Sequence, residues 1–387
     1  NVSLWRCSLP AILIADTVVL FLPTIRNYEF CAYPGWDVFA HLAWAKYILN
    51  TGHITRGDHY PAMHILVATL DQLSLLTPVI LVAVVSFVFF ILYVLSLFIL
   101  GRVVLKDDRA AALLFIFGSP LLFSFGHYAF YPFLFALFLF PLIFYITHKG
   151  GEPKNRRACY ICFTILSLFI VFCHPMITLV LLLILGALWG YSQISNRYRM
   201  GLSCKFNVSG MIAIVGITFI FWYTQFRSII SMGESVISAL LEVSGEKTIL
   251  TSNLDIVNQS GVSVLRAAEI FIKIYGPIVI YFVVALLITI YLARGILIER
   301  KYADEMVYVT FFLLSIAFGA ALTFGYFIVF ELIRAISFAI IMATIVCGVG
   351  FYIFFKSASI LQRKKFFALV TVVILCLTII LSIFGVY

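Results

Sequence analysis

A long stretch of the sequence without a formal charge, residues 110–147, restricts the chain to very few folds. It runs for 38 residues, and as a single α-helix it would measure roughly 57 Å. A lipid hydrocarbon core is only about 30 Å thick, so about 20 apolar residues cross it once. We therefore predict a helical hairpin that crosses a membrane twice, with its turn at Gly126-His127-Tyr128.

Residues 158–196 repeat this pattern, since the only titratable side chain among them that could carry a positive charge is His174. The same length argument predicts a second hairpin, broken at His174-Pro175. Composition agrees, because 64% of the residues are hydrophobic and 11% are charged, against roughly 45–50% and about 25% in soluble domains. An ordinary soluble protein is excluded, and most cysteines lie in apolar runs, where they are expected as small buried hydrophobes.

Seven further apolar runs are each long enough for one crossing. They cover residues 8–25, 78–100, 208–226, 274–293, 306–325, 335–355 and 366–386. The sequence thus predicts an all-α, polytopic membrane helix bundle with about eleven transmembrane helices, forming a single transmembrane domain over residues 1–387. Two long loops interrupt it: residues 27–77, with two short interfacial helices, and residues 227–273.

The distribution of Lys and Arg predicts the orientation. If the N-terminus is cytoplasmic, most of the 26 basic residues fall in cytoplasmic loops, as the positive-inside rule requires. The net charge of +9 is therefore explained by membrane topology, and no nucleic-acid partner is predicted. We expect an integral multi-pass protein of a prokaryotic plasma membrane or of the endoplasmic reticulum.

This topology places six of the seven histidines on the outer side of the membrane. Four lie in the loop 27–77, His127 lies at the tip of the first hairpin, and His174 lies at the tip of the second. Each histidine alone could be an interfacial residue that bonds a carbonyl group. Their clustering on one side favours a functional site instead, lined by His174, Tyr128, Asp58 and His59.

Asp37 and His41 are the first candidate site residues in the outer loop. They are four residues apart on a predicted helix, which places their Cβ atoms about 6 Å apart on one face. Alternatively, Asp37 caps the helix and His41 packs beneath it. Asp58 has the same two interpretations, as the cap of the second short helix or as a site residue.

The segment around these residues resembles a known superfamily. The order Asp37, His41, Tyr47-Ile48-Leu49-Asn50-Thr51-Gly52, Asp58 and Tyr60-Pro61 is similar to the first external loop of oligosaccharyltransferases and other GT-C glycosyltransferases. In that superfamily an Asp soon after the first span is the key acidic residue. The resemblance implies a GT-C-like fold and transfer of a sugar from a lipid-linked donor.

The resemblance has limits. The Trp-Trp-Asp-Tyr-Gly motif of oligosaccharyltransferases is absent, and the second loop has no Asp-x-Asp pair. We also expect no large domain after the last predicted span. We therefore expect an enzyme that moves one sugar from a polyprenyl-phosphate donor to an acceptor at the outer membrane face. Asparagine in a protein is a less suitable acceptor.

The residue types predict a mechanism. Asp37 is the expected catalytic base for the acceptor hydroxyl. Arg334, at the outer start of a late span, could clamp the donor phosphate, or it could pair with Glu331. His41 and His127 could orient Asp37 or hold a divalent metal with it, and this ligand set suits a transition metal or zinc better than magnesium.

Two other classes of protein are alternatives to this interpretation. A transporter would show an inverted repeat or broken helices near the bilayer midplane, and the sequence shows neither. A noncatalytic membrane subunit is the other alternative. The predicted partners are therefore the lipid-linked sugar donor, an acceptor and the membrane lipids.

Overall fold

The computed structural model describes most of the chain. It covers residues 10–15, 17–18, 36–119, 130–198, 208–231, 234, 261, 263–299, 306–324, 332–357 and 361–386. Within these ranges the secondary structure is helical and no strand is present. The prediction of an all-α protein is confirmed.

The labelled helices follow one another closely along the chain. They are α1 (Trp36–Thr51), α2 (Ala62–Leu73), α3 (Pro78–Leu105), α4 (Asp108–Gly118), α5 (Pro132–Phe138), α6 (Phe140–Gly150), α7 (Arg156–Cys173), α8 (Pro175–Tyr198), α9 (Val208–Tyr223), α10 (Val264–Glu299), α11 (Met306–Phe324), α12 (Leu332–Ser357) and α13 (Leu361–Val386). Residues 10–15 and 17–18 of the first predicted span are also helical, whereas Asp16 between them lies outside the described residues.

Six segments in the described ranges are long and apolar enough to cross a membrane. They are Pro78–Leu105, Pro132–Gly150, Arg156–Cys173, Pro175–Gln193, Tyr275–Gly295 and Ser337–Ser357. Shorter apolar helices include Val208–Tyr223, Val307–Ala320 and Lys365–Leu381. All of them fall on predicted spans, and the protein is an integral membrane protein. The side of the membrane that holds the N-terminus stays a prediction.

The second predicted hairpin breaks where the sequence indicates. Helix α7 ends at Cys173, His174 is extended with φ −167° and ψ 127°, and α8 begins at Pro175. A residue before proline is pushed out of the helical region, and proline fits the first position of a helix because it has no N–H to leave unpaired. The dipeptide therefore ends one helix and starts the next.

The chain forms two compact units. The first comprises residues 1–112 and 126–225, and the second comprises residues 113–125 and 226–387. In the first, α1 packs on α2, both contact α3, and α3 packs along α6, which in turn contacts α7. In the second, α12 packs against α10 and α11, and α13 lies along α10. The single domain over 1–387 stays a prediction.

Within a membrane helix, exposed residues lie on one face and buried residues on another, at intervals set by the helical period. On α10, Val283, Leu287 and Ile290 are exposed, whereas Tyr281, Ala285 and Ile288 are buried. Exposed apolar stripes of this kind are stable against lipid tails and would be unstable in water. Hydroxyl side chains within the spans donate to their own helix, as Ser86 Oγ does to the Val82 carbonyl at 2.8 Å, so that few buried polar groups lack a bond.

Helix α10 begins earlier than the sequence indicates. Its first residue is Val264, so its first turns occupy the end of the segment 227–273 that is predicted as a loop. Glu269 forms ion pairs there with Arg266 at 2.6 Å and Lys273 at 2.7 Å. These i,i+3 and i,i+4 pairs support the extra turns. Most of the remaining loop lies outside the described residues.

Candidate functional site

The site is built on α1, α2 and the turn that joins them. Helix α1 is followed by Gly52 with φ +70°, and the Gly52 N–H donates to the Ile48 carbonyl at 2.8 Å. Glycine is favoured there because a Cβ is strained at positive φ. The chain then turns through residues 52–61 and enters α2 at Ala62 after Pro61. Two short helices therefore lie in this part of the first loop, and their external, interfacial position stays a prediction.

Three buried polar side chains from these elements form a hydrogen-bonded chain. Asp58 Oδ2 lies 2.6 Å from His64 Nδ1, and His64 Nε2 lies 3.0 Å from His41 Nδ1. Asp58 and His64 are fully buried and His41 is 6% exposed. A carboxylate is retained in such an interior only when it is bonded. Its other oxygen, Oδ1, accepts the Tyr60 N–H at 3.3 Å.

Asp58 therefore does not cap the second short helix. The residue at the N-cap position of α2 is Pro61, and no side chain bonds the helix end there. The Asp58 side chain instead bonds the backbone two residues ahead, as aspartate does in turns, and turns its other oxygen to His64. The cap interpretation is wrong because the turn points this carboxylate inward, toward α1 and α2.

Aromatic rings surround the two histidines. The ring of His41 lies nearly parallel to that of His64, with centroids 5.1 Å apart, and it meets Trp44, Tyr60 and Phe130 edge to face at 5.5, 6.0 and 6.1 Å. Such contacts hold ring planes in fixed orientations. The histidine pair is consequently shielded from water on several sides.

Tyr60 connects this cluster to the second hairpin. Its ring centroid lies 5.4 Å from that of His174, and His174 also meets Phe133 at 6.0 Å. His174 and His41 thus both contact one tyrosine, although they belong to segments more than 130 residues apart in sequence. This proximity agrees with the predicted placement of the hairpin break near the first loop.

The turn before α2 is tied to α9. Trp222 Nε1–H donates to the His59 carbonyl oxygen at 2.8 Å, and the neighbouring Tyr223 hydroxyl donates to the Val171 carbonyl at 2.6 Å. Burial of His59 lowers the pKa of its imidazole, an effect that the nearby Asp58 charge partly offsets. His59 therefore favours the neutral form, which suits a partly buried position.

The remaining predicted site residues are placed as follows. Asp37 is exposed in the first turn of α1, one helical turn before the buried His41. His127 and Tyr128 lie outside the described residues. Arg334 lies in the first turn of α12, and its side chain is not described. The convergence of Asp37, His127 and Arg334 stays a prediction.

Sequence reasoning did not include His64 among the site residues. The sequence feature that could have identified His64 is its position on the apolar side of α2, where Met63, Val67 and Ala68 are also buried. A histidine among buried apolar residues needs a hydrogen-bond partner, and Asp58 six residues earlier was the nearest carboxylate. The pairing depends on the path of the turn, which no local pattern specifies.

Two solved structures share this architecture. Both are of the oligosaccharyltransferase from Archaeoglobus fulgidus, one in complex with zinc and sulfate and one tethered through a disulfide to an acceptor peptide containing the NVT sequon. The TM-scores are 0.58 and 0.56 at 13% and 12% identity, and each match covers 97% of this chain. It covers 53% and 55% of the solved chains, so this chain spans about half their length.

The fold places the protein among polytopic membrane proteins with a GT-C-like helical bundle. No curated protein matches the chain. Residues 7–239 match the family described as a family of unknown function, DUF6541, and the chain belongs to that family. The matched region contains α1 to α9 and with them every described residue of the hydrogen-bonded chain.

Proposed function

We propose that this protein is a membrane glycosyltransferase that moves a sugar from a polyprenyl-phosphate donor to an acceptor at the outer membrane face. The main support for the proposal is the buried series of hydrogen bonds Asp58–His64–His41. It anchors α1 one turn beyond the exposed Asp37. The GT-C-like fold supports the same class of reaction. A carboxylate held on a rigid helix at a membrane interface is suited to repeated proton transfer.

In this proposal Asp37 is the general base. Its carboxylate takes the proton of the acceptor hydroxyl, and the freed oxygen attacks the anomeric carbon of the sugar. The bond between that carbon and the phosphate oxygen breaks, and polyprenyl phosphate leaves with the electron pair. A direct displacement of this kind inverts the configuration at the anomeric carbon.

The donor phosphate needs a cation that keeps its proton at any physiological pH. Arg334 is proposed for this role, because a guanidinium group can bind two phosphate oxygens at once. The alternative partner of Arg334 is Glu331. His174, Tyr128 and His59 are proposed to line the same site.

A divalent metal held by Asp37, His41 and His127 remains a proposal. Among the described residues no group of three His, Cys, Asp or Glu side chains could hold a metal ion. The residues that the structure describes therefore do not by themselves make up a metal site. The mechanism above uses no metal in any step.

Replacement of the base provides the direct test. We expect Asp37→Asn to lower the rate of sugar transfer by roughly 10²–10⁴, with little change in thermal stability. Asparagine matches aspartate in size and serves equally well near a helix N-terminus. The measurement is transfer of labelled sugar from polyprenyl-phosphate donors by the purified protein, with thermal unfolding recorded beside it.

Asp71→Asn is the matched control, because Asp71 is a partly exposed carboxylate on α2 and its loss changes the net charge equally. It should leave the rate unchanged. A loss of stability in Asp37→Asn, with activity falling only in proportion, would show that Asp37 is structural. Absence of transfer in the unmodified protein with every donor would favour a noncatalytic subunit or a transporter.

A further inference from the structure

The turn between α6 and α7 carries more basic side chains than its acidic residues can pair. Residues 149–157, which we call the basic turn, contain the four basic residues Lys149, Lys154, Arg156 and Arg157. Their one carboxylate, on Glu152, already accepts hydrogen bonds from Lys149 Nζ at 2.8 Å and from Asn155 Nδ2 at 2.7 Å. The other three basic side chains are exposed, and within the described part of the chain no carboxylate forms an ion pair with them. The basic turn therefore presents uncompensated positive charge.

A second basic segment, residues 102–109, lies at the same end of the first compact unit. Helix α3 contacts the apolar segment formed by α5 and α6. The rings of Phe89 and Phe135 have centroids 4.9 Å apart, and those of Tyr93 and Phe138 have centroids 5.2 Å apart. The residue numbers rise together in these two contacts, so the two segments run in the same direction and end on the same side of the membrane. Together, the two basic segments hold seven basic and three acidic residues.

The exposed face of α7 continues from the basic turn as an apolar stripe. Arg157, Ile161 and Ile165 follow one another at intervals of four residues, so they lie on one face of the helix. Ile161 is 53% exposed and Ile165 is 62% exposed, whereas Phe163 and Ser167 on the other side of the helix are buried. The stripe extends about 12 Å from Arg157 along the helix axis. A charged group followed by an apolar surface has the same order as the headgroup and acyl chains of a phospholipid.

We infer that the basic turn and the exposed face of α7 bind an anionic phospholipid such as phosphatidylglycerol. The turn joins two segments that are each long and apolar enough to cross a membrane, so it lies at the level of the lipid headgroups. Basic residues next to a membrane span attract anionic lipids, and a guanidinium group can bind two phosphate oxygens at once. A zwitterionic lipid gains less because it carries its own cation, and a soluble phosphate has no apolar part for Ile161 and Ile165 to contact. The inference is independent of the proposed sugar transfer.

The experiment uses the full-length purified protein in phosphatidylcholine nanodiscs. A trace of phosphatidylglycerol with a photoreactive acyl chain is cross-linked to the protein, and the labelled peptides are identified by mass spectrometry. Three competitors give the relative affinities: unlabelled phosphatidylglycerol, additional phosphatidylcholine with the same acyl chains, and the soluble headgroup glycerophosphoglycerol. The first two differ in headgroup charge, and the third lacks the acyl chains.

Three variants are compared with the unmodified protein. The test variant lacks the three unpaired charges of the basic turn, through Lys154→Gln, Arg156→Gln and Arg157→Gln. Its matched control lacks the same types of charge at exposed positions elsewhere, through Lys46→Gln, Arg56→Gln and Arg227→Gln. The third variant keeps the charge of the turn, through Arg156→Lys and Arg157→Lys. Thermal unfolding in the absence of anionic lipid shows whether each variant is folded.

We expect the strongest cross-links of the unmodified protein in residues 158–165, and competition by phosphatidylglycerol at amounts at which the other two competitors have no effect. The test variant should bind phosphatidylglycerol roughly ten- to hundredfold more weakly. The charge-keeping variant should lose less, because lysine retains the charge but not the two-pronged geometry. The matched control should bind like the unmodified protein.

Strongest cross-links outside α7 would overturn the inference, and so would equal competition by phosphatidylcholine. Equal competition by glycerophosphoglycerol would overturn it as well, because the site would then hold a soluble anion. An equal loss of binding in the matched control would attribute the attraction to net charge and not to the basic turn. If the test variant does not fold, the cross-links and competition in the unmodified protein decide the question.

Discussion

Trp222 of α9 contacts the turn before α2, and we expect this contact to hold the turn in position. Its indole N–H donates to the His59 carbonyl, and its ring meets Phe172 edge to face with centroids 4.8 Å apart. The turn carries Asp58, so this bond from α9 supports the position of Asp58 beside His64. A carbonyl group in a partly buried position is destabilised when its donor is removed.

We expect Trp222→Phe to lower the free energy of unfolding by about 1 kcal/mol and to speed hydrogen exchange in residues 52–61. Phenylalanine keeps an aromatic ring beside Phe172 and removes the indole N–H donor. The measurements are thermal unfolding in detergent and hydrogen exchange read by mass spectrometry. Exchange in α12 should remain unchanged.

Trp189→Phe is the matched control, since Trp189 on α8 is 47% exposed and undergoes the same chemical change. It should affect neither measurement. If residues 52–61 exchange at the same rate in Trp222→Phe and in Trp189→Phe, the bond to His59 does not hold the turn.

Helices α10 and α12 approach each other closely where α12 has a glycine. A Cβ built on Gly350 would lie 2.7 Å from Ile288 Cδ1 and 2.8 Å from Ile288 Cγ1. Ile288 is β-branched and buried, so its side chain has few other rotamers available. Small residues at helix contacts are typical of membrane bundles, because close backbones gain dispersion energy that apolar burial cannot supply in lipid.

Gly350→Ala should therefore destabilise the protein by about 1–3 kcal/mol. The cause is steric, so in the double variant with Ile288→Ala the loss should be smaller than the sum of the two single losses. Thermal unfolding of the four proteins in detergent gives this comparison. Additive losses would mean that the two positions are not in contact.

Gly190→Ala on α8 provides the control for helix propensity. A Cβ there meets nothing within 4 Å, so the substitution should be neutral or stabilising by up to about 1 kcal/mol. An equal loss of stability at Gly190 and Gly350 would remove the steric explanation.

At the scale of the whole molecule, the helices differ in the fraction of their residues that is buried. In the most apolar part of α12, 83% of the residues are buried, against 33% in that of α7. Helix α12 is therefore surrounded mainly by protein, whereas α7 presents a face to lipid. Both are apolar in sequence, because lipid and protein interiors select the same residue types.

The orientation of the bundle is testable with single introduced cysteines. His53 is exposed in the turn between α1 and α2, and Lys154 is exposed in the turn between α6 and α7. We expect a membrane-impermeant maleimide added to the outside of intact cells to label His53→Cys. Lys154→Cys should be labelled only after the cells are opened, because the positive-inside rule predicts that this basic loop faces the cytoplasm.

The unsubstituted protein serves as the blank for the native thiols. Labelling of His53→Cys from the cytoplasmic side of inverted vesicles would overturn the topology and place Asp37 on the wrong side for the proposed reaction.

The sequence by itself determined where the long apolar helices lie along the chain. The positions of the spans follow from charge-free runs of a length set by the bilayer, and the break at His174-Pro175 follows from the local effect of proline. These are properties of short segments, so they need no knowledge of neighbours. The beginning of α10 at Val264 was missed because its first turns carry Arg266, Glu269 and Lys273, whose ion pairs form only along a helix.

Only the tertiary structure decided how the polar residues of the first loop are paired. The spacing of Asp37 and His41 showed that they share a helix, but it did not show that His41 is buried against His64. That contact requires α1 and α2 to pack together and the turn between them to bring Asp58 inward. Such pairings depend on the three-dimensional path of the backbone, because a buried carboxylate must bond whichever donor the packing brings within reach.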